Sequence, residues 1–117
     1  MSETVHLALP FILPAQAQKH VTHNAGLVAV DTLLHLAVKD RDLATPPVTP
    51  AEGDRYIVAT SPTGGWTGHA GEIAAFEDGA WSFHAPREGW RAYVEDEGRL
   101  LVHRSGDWAD VGTLVSE

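Results

Sequence analysis

From residue 53 to residue 115 a glycine-bearing turn signal recurs about every ten residues, and the segments between are short and apolar. Such punctuation leaves no room for a long helix and commits this half of the chain to short strands that reverse on one another. The expected strands are Arg55–Ala59, Glu72–Phe76, Ala80–His84, Trp90–Glu95, Arg99–Arg104 and Trp108–Val111, with a Gly-, Pro- and Thr-rich loop from Thr60 to Gly71. The joining turns are Glu77-Asp78-Gly79, Asp96-Glu97-Gly98 and Ser105-Gly106-Asp107, and the Asp-Gly pair is a strong hairpin signal. The spacing predicts an antiparallel β-meander or a small barrel.

The chain before residue 53 obeys a different period. Residues 1–15 read as an extended N-terminal arm, because Pro10 and Pro14 bar a regular helix and extend the residues before them. From about residue 16 to 39 a helix is expected: Leu27, Val30, Leu34 and Val38 recur at helical spacing, and Leu33 and Ala37 widen the stripe. Thr22 or Asn24 can cap it, and Gly26 weakens its start by about 1 kcal/mol relative to alanine. Pro46, Pro47 and Pro50 stiffen the link from Ala44 to Glu52. The fold class expected is α+β: an arm at 1–15, then a single domain over 16–117 in which the helix packs on a sheet region at 53–115.

A chain of 117 residues fits one domain of modest core, for which oligomerisation would add stability. Sixteen acidic against eight basic residues give a net charge of -8, which repels phosphate backbones and argues against nucleic acid as a partner. The absence of cysteine excludes disulfides, thiolate nucleophiles and cysteine-bound metals. No apolar run approaches the roughly 20 residues of a membrane span, and the apolar N-terminal stretch lacks the basic leader of a signal peptide.

No catalytic constellation emerges. His20 and His23 share a helix face, but no third ligand lies near, and the H-E-x-x-H pattern is missing. No serine sits in a Gly-x-Ser-x-Gly elbow, the acidic pairs fall on hairpin tips, and no phosphate-binding glycine loop is present. Catalytic, metal and cofactor sites are therefore expected to be absent. The aromatic residues offer an alternative: Trp66, Trp90 and Tyr93 could form a glycan-stacking platform, with Trp66 the ring expected to be most exposed. Trp81 and Trp108 are expected in the core, since large rings dominate burial in small β domains. Both follow a turn in the pattern Gly-x-Trp, as Gly79-Ala80-Trp81 and Gly106-Asp107-Trp108, a faint internal repeat.

Certain segments carry a resemblance. They are Leu13-Pro14-Ala15-Gln16-Ala17-Gln18-Lys19-His20-Val21-Thr22-His23-Asn24, then Gly53-Asp54-Arg55-Tyr56-Ile57-Val58, Gly65-Trp66-Thr67-Gly68-His69, Gly79-Ala80-Trp81, Pro86-Arg87-Glu88-Gly89-Trp90 and Gly98-Arg99-Leu100-Leu101-Val102. From about Leu9 to Asp110 the chain resembles a family of phage tail and fibre domains, long without an assigned function, found in phages and in gene transfer agents of alphaproteobacteria. The resemblance implies a virion-structural role like that of a head-spike base: an adaptor that assembles in the bacterial cytoplasm and joins a receptor-binding fibre to the capsid or another virion protein. A homo-oligomer of three or five copies would suit that role. The family commonly carries a glutamate near Ala25-Gly26, and many relatives continue into long fibre regions where this chain stops at Glu117. On this reading Leu9, Phe11, Ile12 and Leu13 dock on a neighbour, and Gln16, Gln18, Lys19, His20, His23 and Asn24 supply directional hydrogen bonds at the seam. Removal of residues 1–14 is expected to spare the fold and abolish assembly.

Overall fold

The structure, a computed structural model, describes residues 3–10 and 19–111, with the backbone alone for 19–23. It is α+β, with one helix, a mixed sheet and an antiparallel sheet. Contacts divide the chain into two units, Met1–His35 and Leu36–Glu117.

In the first unit, helix α1 spans Lys19–Leu33, shorter than the expected 16–39 at its C-terminal end. The cause is His35, whose φ of 53° places it in the left-handed region and stops the helix one residue beyond the last helical hydrogen bond, Leu34 N–H to Val30 C=O. Glycine or asparagine usually marks that position, so the stop is hard to read in sequence. The apolar stripe does not become a buried face either: Val30 and Leu34 are half exposed, whereas Asp31 and Thr32 are buried. Where an extended arm is expected, residues 3–10 turn back on themselves. The Thr4 amide donates to the Leu9 carbonyl, the Ala8 amide to the Thr4 carbonyl, and Glu3 bridges Pro10.

The second unit holds seven strands: β1 (Ala37–Val38), β2 (Arg55–Ile57), β3 (Ile73–Glu77), β4 (Ala80–His84), β5 (Arg91–Val94), β6 (Arg99–Arg104) and β7 (Asp107–Asp110). The expected meander is present but divided between two sheets, and no barrel closes among the described residues. One sheet has the order β2-β3-β4; the other has the order β1-β5-β6-β7, with β1 parallel to β5. Ala37 and Val38, read as the end of the helix, are instead the strand that completes the second sheet. Their segment then serves the first sheet as well. The Tyr93 and Glu95 amides donate to the carbonyls of Leu36 and Val38. A few residues on, the Lys39 amide donates to the Arg55 carbonyl, and the Ile57 and Ala59 amides donate to those of Asp40 and Leu43.

Two hairpins close on two-residue turns, Asp78-Gly79 and Ser105-Gly106, in which all four residues have positive φ. This is the type I′ geometry whose twist matches that of the strands it joins. Trp81 and Trp108 emerge at the same position after these turns, so the Gly-x-Trp repeat is structural. Trp81 packs on a buried cluster of Tyr56, Val58, Trp66 and Ala74, together with Leu43 and Phe83. The Trp108 indole donates to the Gly71 carbonyl at 2.9 Å, linking β7 to the loop that enters β3.

Trp66 corrects the sequence reading. It sits in a short 3-10 turn, Gly64–Trp66, and is 0% exposed, with its ring 5.6 Å from Tyr56 and 5.2 Å from Trp81, centroid to centroid. The Gly-rich loop is thus a device for turning an indole inward. Its Nε1 is buried without a hydrogen-bond partner. Replacement of Trp66 by alanine should cost about 3–5 kcal/mol in urea unfolding, whereas Trp66→Phe, which keeps a ring and deletes the unpaired N–H, should cost markedly less. An alanine variant as stable as the parent would contradict this placement.

Candidate functional site

Three clusters bring polar chemistry together. The first is Asp31, 1% exposed in the first unit. Its carboxylate accepts from the backbone amides of both His6 and Leu7, the former at 2.8 Å. The Thr4 hydroxyl bonds it too, while accepting from the Leu9 amide at 2.8 Å. Burial raises the Asp31 pKa, but the Thr4 hydroxyl and the two amides outweigh it and hold the carboxyl below its ordinary value. The helix side chain therefore acts as an anion in a nest of N–H groups, fixing the turn at residues 5–7. Residues 4–7 are consequently not a removable arm: deleting them strips Asp31 of its partners.

A second cluster surrounds the β5–β6 turn. Arg41 clasps Glu97 through two parallel hydrogen bonds, Nε to Oε2 at 2.9 Å and Nη2 to Oε1 at 2.8 Å. Arg99 lies 3.8 Å from Glu97 and 2.8 Å from Asp110. The hydrogen bonds from Arg41 lower the Glu97 pKa against the opposing effect of desolvation. Beside this clasp, Asp40, Asp42 and Asp96 bring one carboxylate oxygen each within 4.8 Å of the others. Desolvation and the charge of Asp40 raise the Asp96 pKa, as expected of acids that repel. The Asp42 amide donates to Asp40 Oδ1 at 2.6 Å, so part of this crowding belongs to a local turn. The oxygen set is of the kind that suits hard divalent cations.

The third cluster, His69, Glu72 and His84, was invisible to spacing. His69 Nδ1 meets Glu72 Oε1 at 2.7 Å, and its ring stacks on Phe83 at 3.6 Å. His84 is depressed by burial, against the attraction of Glu72. Glu72 thus acts on both imidazoles, through a hydrogen bond on His69 and through its charge on His84.

The residues expected at contacts distribute as follows. Leu9 is half-buried, its amide held by Thr4. Phe11, Ile12, Leu13, Gln16 and Gln18 lie outside the described residues. Lys19, His20 and His23 are on α1, their side chains outside the description, and Asn24 is half-buried on the same helix. Of the expected glycan platform, Trp66 is buried and has no face to offer a sugar. Trp90 is half-buried at the entrance to β5, where the His103 amide donates to its carbonyl. Tyr93 is 44% exposed on the four-stranded sheet, opposite the equally open Leu100.

Residues 23–109, which hold the second and third clusters and nearly all of the strands, match one protein family. The chain belongs to DUF2793, a family described as of unknown function. The DUF2793 match takes in His23, Asn24, all seven strands but the last residue of β7, and most of α1. Leu13 to Thr22, the most specific part of the resemblance stated above, lies before it. Comparison with curated proteins returns no match. Among the described residues no helix is long and apolar enough to cross a membrane.

Asp31 carries a testable consequence. Its folded pKa is lowered, so its contribution is complete above the ordinary carboxylate range and is lost as pH falls through the lowered value. Asp31→Ala should cost about 3 kcal/mol by leaving the two amides unsatisfied. Protection of the His6 and Leu7 amides, taken against the intrinsic exchange rate at the same pH, should fall in the variant at pH 7 and in the parent only on acidification; unchanged protection in the variant would contradict the role.

Proposed function

We propose that the chain is a virion structural protein: a homo-oligomeric base, of three or five copies, that joins a receptor-binding fibre to the capsid or another protein of a phage-like particle such as a gene transfer agent. The observation that carries this reading is that each unit has its own exposed apolar surface. In the first, Val30 and Leu34 lie one helical turn apart and are 49% and 50% exposed. In the second, Tyr93 and Leu100 form a cross-strand pair on one face of the four-stranded sheet, where alternation also places Arg91, Val102 and Arg104.

An adaptor needs two such surfaces, because it must hold two different proteins at once. Aromatic and arginine side chains around an apolar centre are the usual composition of a protein contact. The alternative reading, a glycan-binding module, loses its main ring with the burial of Trp66.

The test uses particles lacking the base, to which purified protein is added. The parent chain should decorate them and recruit fibre. A Tyr93→Lys/Leu100→Lys double variant and a Val30→Lys/Leu34→Lys double variant should both fold, since these side chains are exposed, and each should lose a different partner. The proposal is overturned if the parent fails to decorate the particles, or if both variants decorate and recruit as the parent does.

A further inference from the structure

Charge is distributed unevenly along the four-stranded sheet. Lys39 pairs with Asp54, Arg41 with Glu97, and Arg99 with Glu97 and Asp110. Arg87, Arg91 and Arg104, by contrast, are exposed, and their side chains make no ion pair or hydrogen bond among the described residues. These three collect at one end of the sheet. Arg91 opens β5 opposite Val102, two residues before Arg104 closes β6, so alternation makes the two arginines diagonal neighbours on the exposed face. Arg87 is tied to the same end: the Trp90 amide donates to its carbonyl, and the Gly89 amide to that of His103. The acids nearby do not pair with them. Glu88 accepts from the Ser105 amide at 3.0 Å, and Asp107, across from Arg104, makes no ion pair.

The other end of the sheet is the reverse. β1 runs parallel to β5, so Asp40 and Asp96 are level, each two residues beyond the paired Val38 and Val94. With Asp42 they crowd three carboxylates together, and none of the three has an ion pair among the described residues. The cations beside them, Arg41 and Arg99, are committed to Glu97 and Asp110. Arg91 and Asp96 are five residues apart, about 17 Å at the rise of a strand. The chain thus carries unpaired cations at one end of a sheet and unpaired carboxylates at the other, each too far from the other to be relieved within one copy.

We propose that the Arg87, Arg91 and Arg104 end of the sheet docks on the Asp40, Asp42 and Asp96 end of a second copy, head to tail. Such a contact is heterologous: it uses two different patches of each subunit and generates a ring when the rotation between copies closes. This seam belongs to the homo-oligomer proposed above and rests on that reading for closure at three or five copies; the contact itself is a property of the free chain. Two copies of net charge -8 repel as wholes. At about 0.1 M salt that repulsion is screened beyond about 10 Å, whereas patches in contact still attract, and so fix direction and register.

The test follows the mass of the purified full chain by light scattering, up to about 1 mM chain in about 0.1 M salt. The parent should assemble, and about 1 M salt should raise the dissociation constant about tenfold. Arg87→Glu/Arg91→Glu and Asp42→Lys/Asp96→Lys change exposed side chains only, and each double variant should be monomeric, because like charges then meet at the seam. Mixed one to one they should assemble again, and a chain carrying all four substitutions should assemble alone, which also shows that the variants fold. A parent that stays monomeric overturns the contact, as does a mixture or a fourfold variant that stays monomeric. Assembly untouched by either double variant overturns this seam while leaving a homo-oligomer built on another. A monomeric parent whose recruitment of fibre is lost with Arg87→Glu/Arg91→Glu overturns it in favour of a foreign acidic protein.

Discussion

The segment from Leu36 to Leu43 serves two sheets at once, and the rest of the second unit depends on it. Its first residues accept from β5 and complete the four-stranded sheet; its later ones bond β2 and its extension, at the edge of the three-stranded sheet. Leu36 and Val38 are buried, so the crossing is apolar as well as hydrogen-bonded. Arg41, on the same segment, clasps Glu97 in the β5–β6 turn, which fixes that distant turn to the crossing through a bidentate ion pair. Without this segment the strands would be two separate hairpin systems, each too small to bury much on its own.

The division into two sheets also leaves open sheet edges among the described strands. A closed barrel has no edges, whereas two open sheets have several, and this chain protects them unequally. Residues 39–43 cover β2, aspartates flank β7, and β4 is left bare. The four-stranded sheet leaves Tyr93 and Leu100 in solvent, while the aromatic cluster of Tyr56, Trp66 and Trp81 is internal.

The β-rich half was largely legible in sequence. β4 and β6 fall where the sequence places them, β3 and β7 shift by one residue and β5 is one residue shorter at each end, because glycine turns punctuate them and Asp-Gly and Ser-Gly fix the register; β2 ends two residues early. What escaped had no local signal. β1 is two residues long and continues a helical apolar spacing, so only its partner strand reveals it. The helix stops at a histidine in a conformation that glycine normally takes. Trp66 lies in a loop whose composition suggests exposure, yet its ring completes a core built from strands on either side. Asp31 looks like a solvent-facing helix residue until the turn at residues 5–7 is laid across it. The pairing of Glu72 with His69, and the reach of its charge to His84, needed the folded loop before β3 to be visible.

The central claim, that one crossing segment makes the two sheets a single cooperative structure, is tested most directly by native-state hydrogen exchange in a Val38→Ala variant. The amides that bond the segment from the four-stranded sheet, Tyr93 and Glu95, and those that bond it from the other, Ile57 and Ala59, should all lose protection by the same factor. If Tyr93 and Glu95 lose protection while Ile57 and Ala59 keep theirs, the sheets are held together by something other than this segment.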